Sequence, residues 1–123
     1  MNLAPYSTHE SPNKIWLLRR TPSDREVEET ISRLDNRTLA ATAQLFDRTE
    51  LLGPPRNIEK FRHLVGDVYE FKIHRAVAMR YFAFRVSAGW VVAIARRKPK
   101  PRELRVLINE AQRRHDEFEG VQR

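Results

Sequence analysis

The sequence predicts an α+β fold: a small antiparallel β-sheet, made of a meander of three strands plus an N-terminal strand, with two N-terminal helices on one face and a C-terminal helix. Three runs rich in Val, Ile, Phe, Tyr and Trp lie between residues 66 and 101 with short breaks between them, which is typical of neighbouring antiparallel strands. Residues 21–52 and 102–118 instead carry apolar side chains three and four positions apart, as amphipathic helices do. The sheet is therefore expected to lie at the centre of one domain.

The chain begins with a polar stretch and a short apolar run. Residues 1–13 contain Pro5 and Pro12 and no apolar core of the kind a secretory signal needs, so we expect a flexible leader followed by a single domain over residues 14–123. The run K-I-W-L-L-R-R at residues 14–20 is long enough for a strand and too short for a helix standing alone. It predicts the N-terminal strand of the sheet.

Two helical segments are predicted next. Thr21, Pro22 and Asp24 are residue types that begin helices, because they cap the first turn or fit its backbone. Residues 35–36 (Asp-Asn) interrupt the apolar spacing, so the two segments form either a helical hairpin or one bent helix. Gly-Pro-Pro at residues 53–55 ends the second segment, since neither proline can donate a backbone hydrogen bond.

The meander carries polar side chains on one face. Residues 56–65 lead into it as either a short helical turn or an extended segment. Alternation over residues 68–74 then places Glu70, Lys72 and His74 on the same face, opposite the apolar side chains. We expect that face to be wet.

Positive charge is concentrated in one part of the chain. Between Arg80 and Arg105 there are eight basic residues and one acid, Glu103, so the local balance equals the net charge of +7 of the whole chain. The other 15 basic and 15 acidic residues cancel. A positive cluster on and just after strands is typical of proteins that bind phosphate-bearing partners, while Lys and Arg also protect exposed strand edges. Of these two interpretations we favour a nucleic-acid partner.

Composition excludes several other classes. The chain has no cysteine, so disulfides and cysteine-based metal sites or nucleophiles are excluded. Its four histidines, at residues 9, 63, 74 and 115, are too far apart for a short metal-binding motif, and we expect neither a metal nor another cofactor. No apolar run approaches the roughly 20 residues needed to span a bilayer. We expect a soluble, cytoplasmic protein with no membrane partner.

A set of short motifs occurs in a fixed order along residues 14–119. The motifs are Leu52-Gly53-Pro54-Pro55, then Lys60 and Leu64, then Gly66-Asp67-Val68-Tyr69-Glu70-Phe71-Lys72, then Arg80-Tyr81-Phe82, then residues 91–98, and finally residues 110–118. In order and spacing the chain resembles the RelE/ParE toxin superfamily, and in particular its phage-related HigB-like branch. The resemblance implies a toxin domain that cuts mRNA on the ribosome and is silenced by a cognate antitoxin, encoded next to it and of the helix-turn-helix, HigA-like kind.

The resemblance also implies which residues carry the chemistry. Metal-independent RNA cleavage requires cations that stabilise the phosphorane, and groups that move protons from the attacking 2′-hydroxyl and to the leaving oxygen. Lys72 stands where the family has an arginine and Arg80 matches a family arginine. The candidate catalytic residues are Lys72, Arg80, Arg97, Lys98, His74 and His115, with His74 or His115 as the proton carrier. Arg80 has two interpretations, a clamp on the phosphate or a cross-strand partner of Glu70.

Further basic residues are candidates for contact with the RNA backbone. They are Lys60, Arg62, His63, Arg96 and Lys100. Two other functions stay open. Relatives of the ParE type poison DNA gyrase and do not cut RNA, and Phe118, at a position where cleaving relatives commonly place Tyr or His, leaves room for an inactive module that binds RNA or antitoxin.

Overall fold

Six strands and three helices follow one another in the computed structural model, which describes residues 1–75 and 77–122 apart from the side chains of residues 121 and 122. They are β1 (Asn2–Pro5), β2 (Ile15–Arg19), α1 (Glu26–Ser32), α2 (Asn36–Leu52), β3 (Phe61–Val65), β4 (Val68–Ile73), β5 (Met79–Val86), β6 (Gly89–Arg97) and α3 (Pro101–Gln122). The predicted α+β class is confirmed.

All six strands belong to one mixed sheet with the order β1-β2-β6-β5-β4-β3. The strands β4, β5 and β6 form the predicted antiparallel meander, and β2 pairs in parallel with β6. The sheet is larger than predicted, because β1 and β3 extend it at its two edges, and it is mixed where an antiparallel sheet was predicted, because β2 and β6 are parallel. The parallel pair requires Gly89, whose φ is +135° and where an added Cβ would lie 2.1 Å from the carbonyl oxygen of Lys14.

The edge strand β1 corrects the prediction of a flexible leader over residues 1–13. Residues 2–5 pair antiparallel with β2, and Pro5 lies opposite Trp16 at the end of the ladder, where a missing N–H is tolerated on an edge strand. The loop that follows is also anchored, since the buried Lys14 ammonium donates hydrogen bonds to the carbonyl oxygens of Ser7 and His9.

The first helix begins later than its sequence predicts. α1 starts at Glu26, although Thr21 and Pro22 are typical of a helix start. The carboxylate of Asp24 instead accepts hydrogen bonds from the backbone N–H groups of Arg20 and Glu26, both at 2.9 Å, which closes a turn before the helix. The predicted break before residue 36 is confirmed, and α2 is a separate helix.

The helices cover both faces of the sheet. On one face, α1 and α2 pack on the apolar side chains of the sheet around Phe46. The centroid of the Phe46 ring lies 5.7 Å from that of Phe71 and 5.1 Å from that of Tyr81. On the other face, α3 packs through Phe118, whose ring lies 5.5 Å from that of Phe84. The predicted placement of the two N-terminal helices on one face agrees with this arrangement. Among the described residues, no helix combines the length and the apolar character that crossing a bilayer requires.

Candidate nucleic-acid site

A cleft of about 240 Å³ opens on the face of the sheet that carries α3. We call it the β4 cleft; its lining residues are Glu59, Arg62, Glu70, Lys72, His74, Arg80, Lys98, Pro99 and Leu104. Strand register explains the convergence, because Lys72 of β4 lies directly opposite Arg80 of β5 and their side chains share one face. Lys98 joins them because its backbone N–H continues the ladder with the carbonyl oxygen of Ala78 at 2.8 Å.

A buried carboxylate holds the floor of the β4 cleft. Glu70 is 1% exposed, so the expectation that this face of β4 would be wet is wrong at its centre. Its Oε1 accepts a hydrogen bond from Arg62 Nε at 2.8 Å, and its Oε2 lies 3.8 Å from Arg80 Nε. A carboxylate can be buried at this position because two guanidinium groups compensate its charge.

Arg80 makes the contacts expected of a cross-strand partner of Glu70, the second of the two interpretations given for it. It is 5% exposed, pairs with Glu70 and donates further hydrogen bonds to the carbonyl oxygens of Ile73 and Met79 at 3.3 and 3.0 Å. Burial lowers the pKa of the Arg80 guanidinium from its ordinary value, and the neighbouring Glu70 carboxylate opposes that effect. The contacts described for Arg80 are thus those of a cross-strand partner, at the wall of the cleft.

Two lysines present the more accessible cations. Lys98 is exposed and Lys72 half-buried, and neither forms an ion pair with any described residue. Desolvation by burial lowers the pKa of the Lys72 ammonium, and the positive charge of Arg62 lowers it further. A phosphate group entering the cleft would therefore gain contact with Lys72 without first breaking a salt bridge.

His74 lies at the mouth of the cleft, immediately after β4. Its Nε2 is 2.5 Å from the carbonyl oxygen of Glu59, and 47% of its side chain is exposed. A hydrogen bond to a carbonyl oxygen requires the proton on Nε2, which leaves Nδ1 of the neutral ring free of a proton. His74 thus has the form of a base that can accept a proton at Nδ1.

The basic residues at the end of β6 and just after it lie partly outside the cleft. Arg97 and Arg102 line a neighbouring groove of about 650 Å³ between the end of β6 and the start of α3, and Lys98 lines both. Arg96 lies opposite Arg80 in the sheet, but its guanidinium lies 3.4 Å from Glu26 of α1. Arg96 is thereby drawn away from the cleft toward the first helix.

The other predicted RNA contacts occupy different surfaces. Lys60 lines a separate pocket of about 280 Å³ beside α2, which we call the α2 pocket. His63 lies on the opposite face of the sheet, where its ring packs 4.8 Å from that of Tyr69. Lys100 is exposed before α3, and its backbone N–H donates to Glu103 at 3.1 Å. Of the predicted backbone contacts, Arg62 alone lines the β4 cleft among the residues that the structure describes.

His115 lies apart from the other candidate catalytic residues. It packs on Phe84, which is four residues along β5 from Arg80 and hence about 13 Å away along the strand. Its Nδ1 lies 3.4 Å from Asp67 and 3.1 Å from Asp116. The geometry therefore does not unite His115 with Lys72, which removes it from the proton carriers of the β4 cleft.

The surroundings of His115 are the arrangement closest to a metal site in the described part of the chain. Asp67, His115 and Asp116 each offer a ligand atom, and these atoms lie within 4.8 Å of one another. The amide of Gln112 donates hydrogen bonds to both aspartates, at 3.3 and 3.0 Å. The cluster is thus internally hydrogen-bonded, and it joins α3 to the turn between β3 and β4.

Comparisons with protein-family models, with curated proteins and with solved structures find no match to this chain. The resemblance drawn from the motifs stays a prediction. Functional interpretation depends on the geometry of the β4 cleft and on the charges around it.

Proposed function

We propose that the protein is the toxin of a type II toxin–antitoxin system, an endoribonuclease that cuts mRNA on the ribosome without a metal and thereby stops translation. The observation that carries the proposal is the convergence of Lys72, His74 and Lys98 in one cleft with the buried pair of Glu70 and Arg80. These residues come from three separate strands or their ends, and the cleft they form is cationic and open to solvent.

The cleft supplies groups for each step of RNA cleavage. The ribose 2′-oxygen attacks the adjacent phosphorus while its proton passes to Nδ1 of His74. Lys72 and Lys98 stabilise the negative charge that develops on the non-bridging oxygens. The bond to the 5′-oxygen breaks, and this oxygen takes a proton from the Lys72 ammonium, whose pKa burial lowers from its ordinary value. The products are a 2′,3′-cyclic phosphate and a 5′-hydroxyl.

A cognate antitoxin is part of the proposal. A protein that cuts mRNA arrests its own host, so it requires a partner that covers the site. The cationic β4 cleft and the neighbouring groove with Arg97 and Arg102 favour an acidic segment as the covering element.

A second candidate function is RNA binding without cleavage. It is favoured by Phe118, which is 6% exposed and packed on Phe84, so that the C-terminal aromatic residue is part of the core and supplies no proton. It is also favoured by Glu70, whose charge offsets that of Arg80 beneath the phosphate. In that case the lysines bind the RNA backbone and no bond is broken.

Induction of the protein in growing cells, followed by mapping of transcript 5′ ends, tests the proposal. We expect growth arrest with new 5′-hydroxyl ends inside translated regions, and loss of both with the exposed-cation variant Lys98→Ala. Arg105→Ala is the matched control, since Arg105 is an exposed cation on α3 that does not line the cleft.

The alternatives give different results in the same experiment. Intact transcripts together with retained RNA binding would support the second candidate. Intact transcripts with DNA damage and supercoiling defects would instead indicate a gyrase poison. Equal loss of arrest in Lys98→Ala and Arg105→Ala would exclude the β4 cleft as the site.

A further inference from the structure

The α2 pocket lies on the side of β4 opposite the β4 cleft, between α2 and the end of the strand. Its floor is apolar and is formed by Ala41 and Leu45 of α2 and by Ile73 of β4. Its volume of about 280 Å³ lies just below the range of roughly 300–1,000 Å³ for pockets that bind whole small molecules, so it suits a single small group. A flat, apolar group with a polar edge fits such a pocket.

The rim of the α2 pocket is cationic. It carries His74 and the four cations Arg48, Lys60, Lys72 and Arg75, and no carboxylate occurs among its described lining residues. Glu59 contacts the rim, with its carboxylate 3.9 Å from His74 Nε2. A group bound here should therefore be attached to something anionic.

Two residues join the α2 pocket to the β4 cleft. Lys72 and His74 line both cavities, because they lie at the end of β4 where the strand separates them. The position of Lys60 on the rim is fixed as well, since its carbonyl oxygen accepts a hydrogen bond from the Lys72 backbone N–H at 2.8 Å. A ligand with a phosphate in the cleft would thus reach the pocket with its next group.

We propose that the α2 pocket binds the base of the nucleotide next to the phosphate held in the β4 cleft, so that the chain takes single-stranded RNA with one base turned out. This inference rests on the proposed function and adds a base-reading site to it. Gln44 lines the pocket and is exposed, and its amide offers both a donor and an acceptor to the edge of a base. The bases of a duplex are stacked and paired, so double-stranded RNA cannot enter.

Binding of a fluorescent, uncleavable 2′-O-methyl oligonucleotide, compared with the same strand carrying single abasic positions, tests the inference. Ala41→Leu fills the pocket and should weaken binding of the intact strand by about tenfold, the loss expected when one base no longer packs on the protein. One abasic position should weaken binding to the wild type by a similar factor and leave Ala41→Leu unaffected, since the two changes remove the same interaction.

Two further variants keep this test independent of folding. Ala40→Leu is the matched control, because Ala40 precedes Ala41 on α2, is exposed and does not line the pocket. Gln44→Ala changes an exposed side chain and should alter the preference among the four bases while the thermal midpoint stays unchanged. Ala40→Leu should bind the intact strand within about threefold of the wild type.

The outcomes separate this inference from the proposed function. If RNA is cut and Lys98→Ala weakens binding, while Ala41→Leu and every abasic strand bind like the wild type, the base pocket is excluded and the nuclease stands. If Ala41→Leu and the abasic strand show the expected losses but no RNA is cut, the base pocket stands and the nuclease is excluded. If the protein binds no free RNA strand, the base pocket is overturned, and the mapping of transcript 5′ ends decides on the nuclease.

Discussion

The face of the sheet that carries α3 has a charged region at each end. The two regions differ in whether their basic side chains form ion pairs with carboxylates. At the β4 cleft, Lys72 and Lys98 form no ion pair with the described residues. At the other end, Arg114 pairs with Glu110 at 3.1 Å and with Glu26 at 3.7 Å. Basic side chains are thus committed to the fold at one end and available to a ligand at the other. Charge counted along the sequence does not reveal this difference.

The largest effect should come from breaking the buried pair beneath the cleft. Arg80→Ala leaves the 1%-exposed Glu70 with Arg62 as its remaining guanidinium, and we expect the free energy of unfolding to fall by about 3 kcal/mol. The measurement is equilibrium unfolding in urea. Arg97→Ala is the control, because Arg97 is exposed and should change stability by less than about 0.5 kcal/mol. Equal losses in the two variants would contradict the structural role of Arg80.

Replacing His74 should slow RNA cleavage, whereas replacing His115 should not, because His74 alone of the two lies at the β4 cleft. His74→Gln removes the base of the β4 cleft and should slow RNA cleavage about a hundredfold, the usual contribution of a positioned general base. His115→Gln lies outside the cleft and should leave the cleavage rate unchanged. Both rates are measured on translated mRNA with purified ribosomes. The assignment is wrong if His115→Gln is the slower variant.

The accessible lysines should govern affinity for RNA and its dependence on salt. Replacing Lys72 and Lys98 by Ala should weaken binding about tenfold and reduce the slope of log affinity against log salt by about 0.7 for each phosphate that is no longer neutralised. Arg113→Ala, at the other end of α3, removes a cation already 2.7 Å from Glu110 and should leave the slope unchanged. Titration of a labelled single strand at several salt concentrations provides both values.

The smallest effect should be a shift in the pH at which the protein loses affinity for RNA. Because burial lowers the pKa of the Lys72 ammonium below its ordinary value of 10.5, the wild type should begin to lose RNA affinity at a pH lower than that value, as Lys72 releases its proton. Lys72→Arg should move this loss to higher pH, since a guanidinium keeps its charge there. Anisotropy titrations with an uncleavable strand measure both profiles, and identical profiles would remove Lys72 from the residues that bind phosphate.

Local patterns predicted the central elements. Period-two alternation placed Glu70, Lys72 and His74 on one face of β4, and the structure confirms that face. The proline pair at residues 54–55 ended α2 as predicted, with Gly53 at φ +85°. These features could be predicted from the sequence because each depends on the backbone preferences of a few neighbouring residues.

The features that the sequence did not predict depend on distant contacts. Strand β1 pairs with the edge of β2, which is close to it only in the folded chain. Strand β3 is stabilised by the hydrogen bond from Arg62 to the buried Glu70 on β4. Gln44 and Arg48, which line the α2 pocket, lie on α2 and are far in sequence from Lys72. Their polar i and i+4 spacing was the available signal, but that spacing is common on any solvated helix face.

The parallel pairing of β2 with β6 also determines when the sheet can be completed during synthesis. Ile15 lies opposite Trp90, so β2 can pair with β1 but stays without β6 until about three quarters of the chain has left the ribosome. Pairing between such distant residues closes a long loop and is slow compared with formation of a hairpin. The sheet can therefore be completed only after most of the chain has been synthesised.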